Sequence, residues 1–361
     1  MKDTVSIKGI GKDIPIIDNS WIPYNSVSMK KNRSMRANQV RNLIFTGLTE
    51  GLDGGEARFL PLRSIFEAEQ SILDSYDKIK TVDHQIELCN EVYYTSKIEG
   101  SKTTIARTIE LHNGQPVSPD SYFSEMMVKQ GFEATKFLNV HGNRLDMDIL
   151  LGMWNILVEG CCSNESLRGD KFRIGPVKVG NHLGFSPDKI EDAIGDWIGF
   201  YNSDVMNDHP FIKASLLHMV YEKIHPFCDG NGRSGRLLAT NYLIGVGLDK
   251  CKAVAFSKQI ASTINQYDSA LDESENGECD YTPFVNYMMS VYDNVLYDVL
   301  VEQQSQENDI SVLNDVGKSK LSGFSKELAS EVGIGISNKN NNQPLKRLKS
   351  ESSSKKPNIL S

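Results

Sequence analysis

The sequence predicts a mostly α-helical protein with one small β-hairpin set into it. Apolar residues recur at helical spacing along most of the stretch from Leu62 to Leu300, while one segment, Phe172 to Val179, alternates at period two. Of 361 residues, 39% are hydrophobic and 24% charged, an ordinary balance for a chain that buries one or two cores.

Taken in order, residues 1–61 mix turns, a basic patch (Lys30, Lys31, Arg33, Arg36) and a Gly-rich stretch from Gly51 to Gly55, and are expected to form an N-terminal arm. The helical pattern starts near Leu62. Val82, Ile86, Cys89 and Tyr93 then fall on one face of a helix placed near 84–100, which runs into Thr95–Glu99 and meets a stop at Gly100. A turn-rich loop, His112 to Pro116, precedes further helices through Trp154 and Val158. Phe172 and Ile174, then Val177 and Val179, alternate around Gly175-Pro176, and Gly180-Asn181 offers a hairpin turn. Helices resume over Lys189–Tyr201 and Phe211–Ile224, the second with Ile212, Leu216, Val220 and Ile224 on one face. Another starts around Arg233 and carries Leu237, Leu238 and Leu243 towards Gly245. Beyond about Val301, Gln, Ser, Asn and Lys dominate, so residues 301–361 are expected to be a disordered tail.

Composition also bounds function. A formal net charge of -8 argues against nucleic acid as the main partner, because phosphate backbones call for a basic face. No apolar run suits a signal peptide or a membrane span, so a cytoplasmic location is expected, with no membrane partner. The six cysteines show neither CxxC spacing nor histidines at zinc-site distances, and are expected to be free thiols.

One stretch carries chemistry: His225-Pro-Phe-Cys-Asp229-Gly230-Asn231-Gly232-Arg233-Ser-Gly235-Arg236. Gly230 and Gly232 flank Asn231 and let backbone N–H groups turn inward as an anion nest. The nest opens onto a helix N-terminus, which adds unpaired donors and partial positive charge. Arg233 and Arg236, three apart, share a face of that first turn. The product is a phosphate cradle. Asp229 at its rim suits Mg²⁺ bridging a carboxylate to phosphate oxygens, and His225, four residues earlier, suits a general base. Together they suggest phosphoryl or nucleotidyl transfer. Gly230-x-Gly232-x-x-Gly235 also matches the dinucleotide fingerprint, with Asp249 near the acidic position, but the run before it is helical rather than a strand. Asp229-Gly-Asn231-Gly begins like a calcium loop and then fails, with Ser234 and Thr240 at the sixth and twelfth positions. A bare Gly-rich loop explains the glycines and leaves the histidine, carboxylate and arginines unexplained.

The same stretch resembles the signature of the Fic family, His-x-Phe-x-Asp/Glu-Gly-Asn-Gly-Arg-x-x-Arg, at every fixed position. The resemblance spans roughly 62–300 and implies a Fic-type helical core with a β-hairpin flap, transferring AMP from ATP to a Ser, Thr or Tyr hydroxyl of a protein. It would make His225 the base and Asp229 the Mg²⁺ ligand. Gly230, Asn231 and Gly232 would bind the α- and β-phosphates, Arg233 the β-phosphate and Arg236 the γ-phosphate, with Gly235 in the same motif. The segment Gly169–Arg173 and Pro176–Val179 resembles the family's flap, where a target protein would add as a strand and Val177 or Val179 would clamp its side chain. Tyr267 is a candidate for the adenine pocket. Thr95-Ser-Lys-Ile-Glu99-Gly100 resembles an inhibitory motif, in which Glu99 would make a bidentate pair with Arg236. Transfer of another nucleotide or phosphate group, removal of AMP with Glu99 helping to activate water, and a non-catalytic binding module are the alternatives.

Overall fold

Helices build the computed structural model, which describes residues 4–9, 13–16, 59–80, 84–142, 144–179, 182–183, 185–275 and 280–305. Most of the expected arm and tail, and Val82 and the Gly180-Asn181 turn, lie outside the described residues. Within the arm, β1 (Thr4–Ser6) pairs antiparallel with β2 (Asp13–Pro15), Val5 opposite Ile14. Ile7 is buried in the main core. The Lys8 amide donates to the Asp208 carboxylate, and its carbonyl accepts from Met206.

The helices that follow are α1 (Arg63–Lys78), α2 (His84–Ile98), α3 (Ile105–His112), α4 (Tyr122–His141) and α5 (Met147–Val158). After the two-residue strands β3 (Lys178–Val179) and β4 (His182–Leu183) come α6 (Ile190–Asn202), α7 (Pro210–Ile224) and α8 (Asn231–Gly245). Two shorter helices, α9 (Phe256–Ser262) and α10 (Ile264–Glu275), lead to α11 over 282–305. None of the described helices is long and apolar enough to cross a membrane.

α7 is the centre of the core. The expected face of Ile212, Leu216, Val220 and Ile224 is buried, but so are Phe211, Leu217, Met219 and Tyr221 on the other sides. A helix apolar all round belongs inside, and α7 packs against α1, α6 and α8. Its N-terminus is capped from another helix. Glu69 of α1 accepts from the amides of Phe211 and Ile212, both at 3.0 Å, and from His209 Nδ1 at 2.7 Å. Those amides are buried and have no intrahelical acceptor, so removing the carboxylate orphans them. Glu69→Ala is expected to lower stability by about 3 kcal/mol, read as a fall in the urea midpoint, and an unmoved midpoint would refute the cap. Burial opposes protonation of His209, yet Glu69 beside it holds the imidazole above its ordinary value. The stabilisation from that pair is therefore complete below about pH 6.5 and is lost as pH rises through the raised value.

Two expectations need correcting. The buried face of α2 is Cys89, Val92 and Ser96, while Ile86 is 55% exposed. Small residues are needed on that side because α4 lies close: a Cβ on Gly131 would come within 3.0 Å of Val92. The period-two segment yields little strand. Among the described residues only Lys178–Leu183 and Val179–His182 pair, and 172–174 contributes a single bridge between Arg168 and Arg173. Phe172 does point inward and Ile174 outward, so the alternation is present without the ladder.

Candidate active site

The motif residues converge where α7 ends and α8 begins. His225 follows the last turn of α7 in the left-handed region (φ 48°, ψ 61°), its amide donating to the Tyr221 carbonyl. Pro226 prevents the helix from continuing. The chain then dives inward: Phe227 is fully buried and stacks on Trp154 with ring centroids 4.2 Å apart. The Asn231 side chain accepts from the Phe227 amide and donates to its carbonyl, both at 2.9 Å, so its amide group braces the loop. Gly230 takes φ 79°, and a Cβ there would lie 2.8 Å from Val158. Only glycine suits both demands. The Trp154 indole donates to the Asp229 carbonyl, fixing the turn from a third side.

α8 starts at Asn231, two residues before the expected start, which places Gly232 and Arg233 in the opening turn where N–H groups lack intrahelical acceptors. The chain's own Glu99 sits over that turn. One Glu99 oxygen falls where a Gly232 Cβ would stand, and it accepts from Arg236 Nη2 at 2.6 Å. The expected two-bond fork is not formed. Arg236 Nε donates instead to Thr95 Oγ1 at 2.8 Å, and Nη2 also reaches the Thr95 carbonyl. The α2 helix places Thr95 and Glu99 one turn apart, and both are needed to satisfy one buried guanidinium. Burial would lower the Arg236 pKa, but Glu99 beside it holds the group above its ordinary value.

Asp229 stands at the rim with its side chain 18% exposed. Its oxygens accept from the Ser163 amide and hydroxyl and from the Gly230 amide, and Arg233 Nη2 is 3.7 Å away. Among the described residues no three His, Cys, Asp or Glu side chains form a metal cluster. A single carboxylate fits Mg²⁺ that takes its remaining ligands from phosphates and water. Arg233 is buried, donating from Nη1 to the Leu157 carbonyl, while Nε and Nη2 have no hydrogen-bond partner. Unpaired donors on a buried guanidinium suit an anion.

His225 has its side chain 22% exposed, and its Nδ1 is buried without a partner. Burial pushes its pKa below the ordinary imidazole value, so the neutral base form dominates at neutral pH. Three neighbours of the motif, Glu222, Ser163 and Trp154, are absent from the residues that spacing and resemblance single out, and Arg173 is there only as part of the flap segment. Glu222 lies 3.7 Å from His225 Nδ1. Arg173 Nε donates to the His225 carbonyl at 2.7 Å and its guanidinium also reaches the Gly175, Phe185 and Ile224 carbonyls, tying the 172–185 segment to the end of α7. Ser163 and Trp154 hold Asp229. Only Glu222, at i−3 from His225 on a helix, carries a signal in its spacing.

Two further predicted residues are buried, Gly235 on α8 and Tyr267 close to Arg236 and Glu222. Gly235 faces α7, where a Cβ would come within 2.9 Å of Glu222 and 3.2 Å of Tyr221. Its smallness serves helix packing. Tyr267 is 5% exposed in the core, its hydroxyl 3.2 Å from His218 Nε2 and its ring against Phe284 and Tyr287. Val177 is half-buried next to β3, which Val179 ends. A cavity of about 230 Å³ lies between α2, α4 and α8, lined largely by Leu88, Val92, Leu138, Leu237 and Ile244; of the motif only Arg233 reaches it.

The chain is similar to known proteins. A family profile described as Fic/DOC matches residues 145–243. The chain is 25% identical over 252 residues to the protein adenylyltransferase Fic of Aedes aegypti, covering 69% of this chain and 48% of that protein. It is 23% identical over 293 residues to the protein adenylyltransferase fic-1 of Caenorhabditis elegans, covering 76% and 55%. The chain thus spans about half the length of the curated relatives it matches. Among solved structures, a Fic family protein from Desulfovibrio desulfuricans superposes with a TM-score of 0.58 at 19% identity, over 67% of this chain and 75% of that one. Fic-1 of C. elegans gives 0.56 at 20%, over 67% and 74%. The fold is the same helical one.

Proposed function

Since residues 145–243 are a Fic/DOC family domain, we propose that this chain transfers AMP from ATP to a hydroxyl side chain of a protein and is held back by its own Glu99. The observation that carries the proposal is that His225, Asp229, the α8 N-terminus and Arg236 belong to one loop–helix turn, with the Glu99 carboxylate over Gly232 and on Arg236. Relatives that carry the name protein adenylyltransferase support the reaction class.

In this reading the target hydroxyl gives its proton to His225 as its oxygen forms a bond to the α-phosphorus, and the bond to the bridging oxygen breaks to release pyrophosphate. The backbone donors of Gly230, Asn231 and Gly232, with Arg233 and Arg236, hold the phosphates. Asp229 would hold Mg²⁺, which supplies charge neutralisation on the phosphates when bound. The segment at 172–185, with Val177 and Val179, would serve as the flap on which the target protein docks by strand addition, anchored to the base through Arg173.

Incubation with ATP labelled at either phosphorus tests this reading. Label transferred to protein from the α-position and not from the γ-position is the expected result. Transfer from the γ-position would make the chain a kinase, and no transfer from either would leave a binding module.

A further inference from the structure

A buried carboxylate lies beside the base, and the transfer chemistry leaves it without a task. Glu222 is 4% exposed on α7, with one oxygen 3.7 Å from His225 Nδ1 and the other 3.7 Å from His218 Nε2. Burying a carboxylate is costly unless it is paired, yet Glu222 Oε1 and His225 Nδ1 each have no hydrogen-bond partner. The packing of α8 leaves room for this side chain: a Cβ on Gly235 would stand 2.9 Å from Glu222 Oε1, so the motif glycine keeps open the space that the carboxylate fills. The row of polar groups continues inward from His218 to the Tyr267 hydroxyl at 3.2 Å.

We propose that Glu222 is the positioning residue of the base. Its carboxylate accepts the Nδ1 proton of His225, which fixes the tautomer with Nε2 unprotonated and turned to the opening, and it stabilises the imidazolium formed when the target hydroxyl yields its proton. This rests on the transfer reading for its purpose, though not for its geometry. Glu222 takes no proton itself. The hydroxyl proton moves to Nε2, the oxygen pair goes to the α-phosphorus, and the Nδ1–H stays on the ring. A separation of 3.7 Å is loose for a hydrogen bond, and such contacts tighten when substrate is bound. Burial opposes ionisation of Glu222, but His218, His225 and Arg236 around it hold its carboxyl below the ordinary range. The charged groups that face His225 from other elements are Arg173, which disfavours the imidazolium, and Glu99, which favours it.

The test uses the full chain with Glu99→Gly, alone and with Glu222→Gln or Glu222→Asp. Glu222→Gln is expected to lower the rate of AMP transfer by roughly 10- to 100-fold, part of the 10²–10⁴ that a base supplies, with Mg²⁺-ATP binding unchanged. The acid limb of its pH–rate profile moves to lower pH, because the imidazolium has lost its counter-charge. Glu222→Asp recovers part of the rate. Histidine ¹⁵N–¹H correlation spectra of the parent protein should show His225 protonated at Nδ1. An Nε2-protonated ring would overturn the proposal, and so would a Glu222→Gln profile with an unmoved acid limb. Parallel loss of rate and ATP binding without recovery in Glu222→Asp would make Glu222 a packing residue and also overturn it. If the parent transfers no AMP, the transfer reading fails, while loss of the Nδ1-protonated ring in Glu222→Gln still assigns the tautomer to the carboxylate; a ring unchanged in Glu222→Gln, held by the Glu222 carbonyl, would overturn the proposal.

Discussion

Replacing Glu99 with glycine is expected to raise AMP incorporation from α-labelled ATP by roughly 10²-fold. The carboxylate lies over Gly232 and within 2.6 Å of Arg236 Nη2, on donors that the proposed reaction gives to the nucleotide's phosphates. ATP could enter only in a displaced pose, and a misplacement of about 1 Å from in-line geometry costs about 10²-fold in rate. Removing the side chain frees Arg236, whose remaining hydrogen bonds go to Thr95. Arg236→Ala should then lower incorporation even with Glu99→Gly in place, because the guanidinium serves both partners. Measurement of initial rates for the parent, Glu99→Gly and the double variant checks this. Equal rates for the first two would remove the inhibitory role and leave the transfer chemistry standing.

The second large effect belongs to the base. In the Glu99→Gly background, His225→Ala is expected to slow transfer by about 10²- to 10⁴-fold while Mg²⁺-ATP binds about as before. Binding should survive because the donors proposed for the phosphates lie on α8 and the loop is braced independently by Asn231, Trp154 and Phe227. The active form is the neutral imidazole. Burial depresses the His225 pKa, so that form persists as pH falls, and the acid limb should lie below the ordinary imidazole value of about 6.5. An acid limb above about 6.5 would contradict the burial, and a full rate without the imidazole would remove His225 from the chemistry.

Much of the site is legible in the sequence because its chemistry is compressed into twelve consecutive residues. His225, Asp229, Gly230, Gly232, Arg233 and Arg236 each fill a demand set by local geometry, and local geometry follows from spacing. Gly230 illustrates this, with the positive φ that a glycine before a helix implies. The Asn231 side chain and the missing Cβ of Gly235, in the same run, also serve packing, one bracing Phe227 and the other admitting Glu222. A motif names residues and does not say which way each one faces.

What the sequence determined by itself was the helical class, the run of helices from about Leu62 to Gly245 and the glycine-flanked turn that opens α8, since periodicity, stops and short-range spacing are local properties of the chain. Tertiary structure alone decided the rest. It set which face of α2 is buried, because the close approach of α4 at Gly131 selects small residues there. It brought Thr95 and Glu99 onto Arg236, 141 and 137 residues away in sequence, and replaced the expected fork by a shared grip. It put Glu69 on the end of α7, Ser163 on Asp229 and Arg173 on the backbone of His225. The contacts at Arg236, at the start of α7 and at Arg173 satisfy buried polar groups with partners distant in the chain, and only packing determines which distant partner arrives.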